Sequence, residues 1–322
     1  DGAATIAIDG GAKVEVSGLY TVTNHEGRAG LADEGTTLAV NEGGRFEYTS
    51  NGDKGRFEIG PGATLVTTNA KVVVGAGIST RGGIITTGGA AEYNGASELI
   101  MSREVQTGEL VAFGTGSSTF NGTSVYIHSL YNQTGGFTIR PDAEGETATV
   151  TFNDDSELVG YGTFIFLGGS GGRKNTTSIL NVNSSKRFNE NPYPGYQQFN
   201  KYMSGYMIAV GDCYGEGRLN VSRGGIGSGG RGMSIGGADG APSATDVAAT
   251  GKVTLSGTGK LYVDAYAAYY FGWGQSTLLG TLIGNGFKTA TTVPGRPFLG
   301  ELEISDSAEL ETRTGRHDVV RR

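Results

Sequence analysis

The chain is poor in most of the groups that carry chemistry. Cys213 is the only cysteine in 322 residues, so no disulfide framework can form within one chain. Histidine is nearly as scarce. His25, His128 and His317 have no cysteine or second histidine at metal-ligand spacing and read as surface residues. No long apolar run occurs, so no segment reads as a membrane-spanning helix. Lysine and arginine number 25 against 32 acidic residues, and a net charge of −7 argues against a nucleic-acid partner. The opening DGAATIAIDG lacks the basic and apolar regions of a signal peptide. A leader has been removed, or the chain starts inside a larger protein.

Glycine is abundant instead, at 58 residues. Glycine-rich disorder would be poor in aromatic and β-branched residues. This chain has 13 Phe, 15 Tyr and many Val, Ile and Thr in alternating runs, so it should fold, mostly as strand.

A short phrase recurs along the chain: apolar, any, apolar, a turn of Gly, Asn, Asp or Ser, then apolar, any, apolar. TIAIDGGAKVEV, AEYNGASELIM, VTFNDDSELVG, VTLSGTGKLYV and LEISDSAELET are five of ten candidates. The last apolar residue before each turn is Ile8, Val40, Ile59, Tyr93, Phe120, Phe152, Val182, Val221, Leu255 and Ile304. The next inward residue is Val14, Phe46, Leu65, Leu99, Val125, Leu158, Phe188, Ile226, Leu261 and Leu310. Eight of these gaps are six residues and two are five. A second phrase, an apolar run ending in glycine, falls between them at Gly75, Gly114, Gly168, Gly211, Gly236 and Gly272. Glycine there suits a bend with positive φ or a close backbone approach.

Antiparallel hairpins or a coil of stacked strands could both use this pattern. Tight hairpins favour two-residue Asn-Gly or Gly-Gly turns, whereas four to five residues separate the apolar positions here. The spacing therefore favours a solenoid in which each copy covers the one beneath it. Ten coils at about 4.8 Å per parallel strand make a rod roughly 48 Å long. The inward residues, Val14, Phe46, Leu65, Leu99, Leu158, Leu261 and Leu310 among them, should form one stacked column.

The segments GRLNVSRGGIGSGGRGMSIGGADG and ATGKVTLSGTGKLYVD resemble the Gly-rich repeats of bacterial autotransporter passenger domains and related secreted β-helix proteins. The resemblance covers most of the chain in rhythm and these two segments in wording. It implies an all-β, right-handed parallel β-helix, exposed extracellularly or on a bacterial cell surface. It brings no catalytic motif, and the family's C-terminal membrane barrel has no counterpart in this sequence.

One β-helix domain over residues 1–322 is expected, with aromatic-rich insertions at 186–217 and 264–300. The first holds Pro192 and Pro194 with Tyr193, Tyr196, Phe199, Tyr202 and Tyr206. The second holds Tyr266, Tyr269, Tyr270, Phe271 and Trp273. Either set packs onto the rod, or it forms a contact surface for glycan or protein, since tyrosine and tryptophan are enriched at such surfaces. Asp154, Asp155 and Glu157, in the turn NDDSEL, form the densest acidic knot. Clustered carboxylates serve polysaccharide-cleaving β-helix enzymes, and hard oxygens suit calcium. The knot also occupies a repeat's ordinary turn, where aspartate favours tight bends. Sequons occur at Asn121, Asn132, Asn175, Asn183 and Asn220.

No catalytic constellation or cofactor motif emerges. The first expectation is an extracellular structural or adhesive protein, and the alternative is a carbohydrate-active enzyme, a polysaccharide lyase or glycosidase. Neither end shows the pattern of an amphipathic helical cap, so copies of the chain, or a sister β-helix protein, are expected to associate end to end. The closing RTGRHDVVRR is basic within an acidic chain, and is a processing remnant, a chain boundary or an arm for an acidic neighbour.

Overall fold

An alternating strand has one face to bury, and a chain without helices must cover that face with more strand. The computed structural model describes residues 6–8, 12–24, 28–50, 56–76, 83–86, 88–103, 109–129, 136–141, 143–160, 164–168, 175–187, 204–205, 207–212, 215–229, 233–236, 249–264, 281–283 and 299–313. They contain strands and no helix, wound into ten coils of a parallel β-helix with three faces.

The first face carries β1 (Ile6–Ile8), β4 (Arg28–Leu31), β7 (Arg56–Ile59) and β10 (Gly83–Thr86) in one sheet. A second sheet continues it with β13 (Glu109–Phe113), β16 (Gly136–Ile139), β19 (Phe164–Gly168), β22 (Met207–Asp212), β24 (Met233–Ile235) and β27 (Thr281–Ile283). The second face is unbroken. It runs through β2 (Lys13–Val16), β5 (Thr37–Val40), β8 (Thr64–Thr68), β11 (Gly89–Asn94), β14 (Gly116–Asn121), β17 (Thr147–Asp154), β20 (Thr177–Arg187), β23 (Gly215–Gly229), β25 (Ala249–Leu255) and β28 (Leu299–Ile304). The third face holds β3 (Leu19–Asn24), β6 (Arg45–Ser50), β9 (Lys71–Ala76), β12 (Glu98–Arg103), β15 (Ser124–Ser129) and β18 (Glu157–Gly160). The long strands β20 and β23 then turn the corner themselves, and β21 (Ser204–Gly205), β26 (Lys260–Asp264) and β29 (Glu309–Arg313) complete that face.

Register is kept from coil to coil. One inward column of the second face reads Val16, Val40, Thr67, Tyr93, Phe120, Phe152, Val182, Val221, Leu255, Ile304. Its neighbour reads Val14, Leu38, Leu65, Ala91, Ser118, Val150, Leu180, Leu219, Val253, Leu302. Size is complementary between the two. Where the first holds the rings of Tyr93 and Phe120, the second shrinks to Ala91 and Ser118, which keeps the interior dense. Tyr93, Phe120 and Phe152 stack at centroid spacings of 4.7 Å with interplanar angles of 13° and 16°. Parallel pairing in register is what sets ring on ring.

Two expectations need correction. The ten phrases do not all mark one corner. Eight lie at the corner between the second and third faces, but Ile8–Val14 and Ile59–Leu65 lie between the first and second. At the eight-phrase corner, the third coil passes from Thr67 to Val72, and the polar Thr67 hid that passage from an apolar pattern. The single inward column is accordingly two. Phe46, Leu99 and Leu158 share a third-face column with Val72 and Val125, and Leu261 and Leu310 lie on that face further along. Val14 and Leu65 belong to the second face. Phe188 lies outside the described residues.

Four of the six glycine-ended runs, at Gly114, Gly168, Gly211 and Gly236, mark the passage from first to second face, whereas Gly75 lies in β9 on the third face and Gly272 lies outside the described residues. Gly168, Gly211 and Gly236 have φ of 101°, 75° and 66°, where a side chain would be strained. The partners of Gly211 and Gly236 across the tight corner, Gly217 and Gly251, are glycine for lack of room. A Cβ on Gly251 would lie 2.2 Å from the Gly236 nitrogen and 2.3 Å from the Val210 oxygen.

Candidate functional surface

The corner between the second and third faces is a short turn in every coil, and its polar side chains are used on each other. Asn121 Nδ2 donates to Asn94 Oδ1 at 2.8 Å, and Asn153 Nδ2 donates to Asn121 Oδ1 at 3.0 Å. Asn183 Nδ2 reaches Asn153 Oδ1 at 3.5 Å, and Ser222 Oγ donates to Asn183 Oδ1 at 3.2 Å. An amide carries one donor and one acceptor end, so a column of asparagines one coil apart satisfies itself. Beneath it runs a buried hydroxyl row. Thr67 Oγ1 donates to Ser97 Oγ at 3.1 Å, the Thr123 amide donates to Ser156 Oγ at 3.0 Å, and Ser184 Oγ donates to the Ser156 carbonyl at 2.5 Å. The sequence analysis missed both ladders. Their signal was present: asparagine follows the last apolar residue directly in EYN, TFN, TFN and NVN.

The acidic knot sits at this same corner. Asp154 closes β17 with φ of 55°, a conformation that aspartate tolerates better than most residues. Asp155 accepts a hydrogen bond from Ser185 Oγ one coil on. Glu157 opens β18, accepting from Ser124 Oγ at 2.7 Å and lying 3.7 Å from Lys186 Nζ. Asp155 and Glu157 thus bond to the neighbouring coils. Among the described residues no three His, Cys, Asp or Glu side chains gather as a metal site would.

The sequons divide by use. Asn121 and Asn183 belong to the asparagine ladder, and Asn220 Nδ2 donates to Asn181 Oδ1 at 2.9 Å. Asn175, exposed in a turn with φ of 55°, donates to Glu144 Oε1 at 2.7 Å. Asn132 lies outside the described residues.

The aromatic candidates Tyr193, Tyr196, Phe199, Tyr202, Tyr206, Tyr269, Tyr270 and Trp273 also lie outside the described residues, as do Tyr266 and Phe271. The described strands flank both segments. Before the first, β20 ends at Arg187, whose partner Gly225 pairs with Lys260 at the start of β26, so the described chain stops early on the third face and resumes on that face at β21, opposite Gly227 and Ser228. Before the second, β26 ends at Asp264, the far end of that face two coils on, and the described chain resumes on the first face at Thr281, the start of β27. The breaks are therefore not loop throughout, since 186–217 contains β22 and 264–300 contains β27.

Outward charges pair along the rod. Lys71 meets Glu98 at 2.8 Å, and Lys260 meets Glu309 at 2.8 Å. Lys252 stands between Glu301 at 3.4 Å and Glu303 at 3.1 Å. That lysine draws the Glu303 carboxyl below its usual range, and the hydrogen bonds it donates to Glu303 and Glu301 raise its own pKa in return.

No helix among the described residues is long and apolar enough to cross a membrane. Comparison with protein-family models, with curated proteins and with solved structures finds no match.

Proposed function

We propose that the protein is an extracellular structural or adhesive rod of a bacterial cell surface. The observation that supports this is the second face, whose inward columns stay in register through all ten coils, with polar side chains at the adjoining corner spent on the neighbouring coil. Such a corner stiffens a scaffold and leaves few groups free to act on a substrate. The bacterial and surface parts of the proposal come from the resemblance to autotransporter passenger repeats. The aromatic segments, which follow β20 and β26 in the chain, are the proposed contact surface for glycan or for another protein.

The test is binding of the purified chain to a glycan array and to cells, beside a Trp273→Ala variant. Specific binding lost in the variant, with an unchanged melting temperature, supports an adhesive role. A melting temperature lowered by several degrees instead places Trp273 in the fold. Release of unsaturated or newly reducing ends from a polysaccharide panel would overturn the proposal in favour of a lyase or glycosidase.

A further inference from the structure

Two members of the asparagine ladder are followed by glycine. Asn94 precedes Gly95 and Asn121 precedes Gly122, whereas Asp154 and Ser184 follow Asn153 and Asn183. The corner itself demands those glycines. Gly95 and Gly122 have φ of 62° and 68°, and a Cβ on Gly95 would lie 2.3 Å from Asn69 Oδ1. That oxygen accepts from the Ala96 amide at 2.9 Å, so its place is fixed. The turn has thus set beside each asparagine amide a backbone nitrogen that no side chain hinders.

In such a step the glycine nitrogen can attack the side-chain amide. At Asn94 the Gly95 nitrogen bonds to Cγ, the Cγ–Nδ2 bond breaks, and Nδ2 leaves as ammonia with the glycine proton. Water then opens the cyclic imide at either carbonyl, which yields aspartate or isoaspartate. Water is the only co-reactant. The amide must first turn toward the following nitrogen, so a hydrogen bond that holds it opposes the reaction. Here the two asparagines differ. Asn121 is held at both ends, donating through Nδ2 to Asn94 Oδ1 at 2.8 Å and accepting at Oδ1 from Asn153 Nδ2 at 3.0 Å. Asn94 stands at the head of the ladder. Among the described residues its side chain is held through Oδ1 alone, and one coil back the column offers Thr68 in place of an asparagine. Both side chains are only half-buried, so water reaches them.

We propose that Asn94 is a site of spontaneous hydrolytic modification in the folded rod, and that the ladder shields Asn121 from the same reaction. Aspartate at position 94 keeps an oxygen for Asn121 Nδ2. Isoaspartate threads the side-chain carbon into the main chain at the short corner, and so disturbs the register between the fourth coil and its neighbours. The inference stands apart from the adhesive role, since it needs only the geometry of the corner.

Peptide mapping by mass spectrometry tests this on the full chain held at mildly alkaline pH, with aspartate and isoaspartate resolved by chromatography. Asn94 is expected to convert steadily in the folded chain, and Asn121 roughly tenfold more slowly for the additional hydrogen bond it must break. In denaturant the two rates should converge, because both are asparagine–glycine steps. Asn153→Ala removes the donor to Asn121 Oδ1, and should raise the Asn121 rate toward that of Asn94 while leaving Asn94 unchanged. Equal rates in the folded chain overturn the proposal, as does a folded chain in which Asn94 is inert. So does a difference that persists in denaturant, or an Asn121 rate indifferent to Asn153→Ala in a variant whose circular dichroism matches wild type. Should that variant not fold, the wild-type comparison of folded and unfolded chains decides alone.

Discussion

Replacing Phe120 by alanine removes the middle ring of the stack that joins the fourth, fifth and sixth coils. The ring is fully buried, with Tyr93 and Phe152 at 4.7 Å on either side and Phe113 edge-on at 6.2 Å. Loss of a buried phenylalanine costs about 3–5 kcal/mol, more where the walls cannot collapse. They are held here, because the Asn94–Asn121–Asn153 ladder pins the three strands at fixed spacing. Ala91 and Ser118 in the next column are too short to fill the space. A loss of about 4 kcal/mol is expected in denaturant titration followed by far-ultraviolet circular dichroism. If all coils melt as one unit, that equals about 6 °C in Tm for a chain of this length. A solenoid weakened at its centre also loses cooperativity, since each coil is held only by its neighbours. The transition should therefore broaden or split. Leu302→Ala, at the partly exposed last coil, should cost under half as much. A Phe120→Ala loss below about 1 kcal/mol, or one no larger than that of Leu302→Ala, would refute the stacked-core account.

Gly251→Ala should cost about as much as a core cavity, because the added methyl meets backbone atoms of two neighbouring strands rather than movable side chains. Its Tm, set beside Gly18→Ala where nothing lies within reach of the new carbon, checks that cause, and equal effects would dismiss it. Burial raises the Tyr93 phenol above its ordinary value. Its contribution is complete below the unfolded tyrosine pKa of about 10 and is lost as pH climbs past that value toward the raised folded one. Tyr93→Phe keeps the ring and removes the proton, so its stability should fall less steeply above about pH 10 than that of wild type. Denaturation midpoints at neutral and alkaline pH would show this, and parallel slopes would rule it out.

Much of the architecture was legible in the residues because side-chain alternation and turn chemistry are local. Tyr93, Phe120, Phe152 and Leu255 announce themselves as inward by the polar residues on either side. Their spacing to the next apolar residue reports a corner too long for a tight hairpin. The ladders were less legible. Asn94, Asn121, Asn153 and Asn183 stand 27, 32 and 30 residues apart, and nothing local says that these unequal steps each make one coil.

What the sequence determined alone is the class: an all-strand, glycine-rich chain of stacked two-strand phrases, poor in cysteine and histidine. The tertiary structure decided which corner each phrase occupies. Ile59–Leu65 and Val40–Phe46 have the same six-residue gap, and only strand pairing assigns them to different corners. It also decided that the Asp155 and Glu157 carboxylates link neighbouring coils, and that the strands before the two aromatic segments end at different points of the third face. The physical reason is common to all three. A strand's pattern states which side it buries, whereas its register against a strand some thirty residues away depends on the path of the whole coil between them.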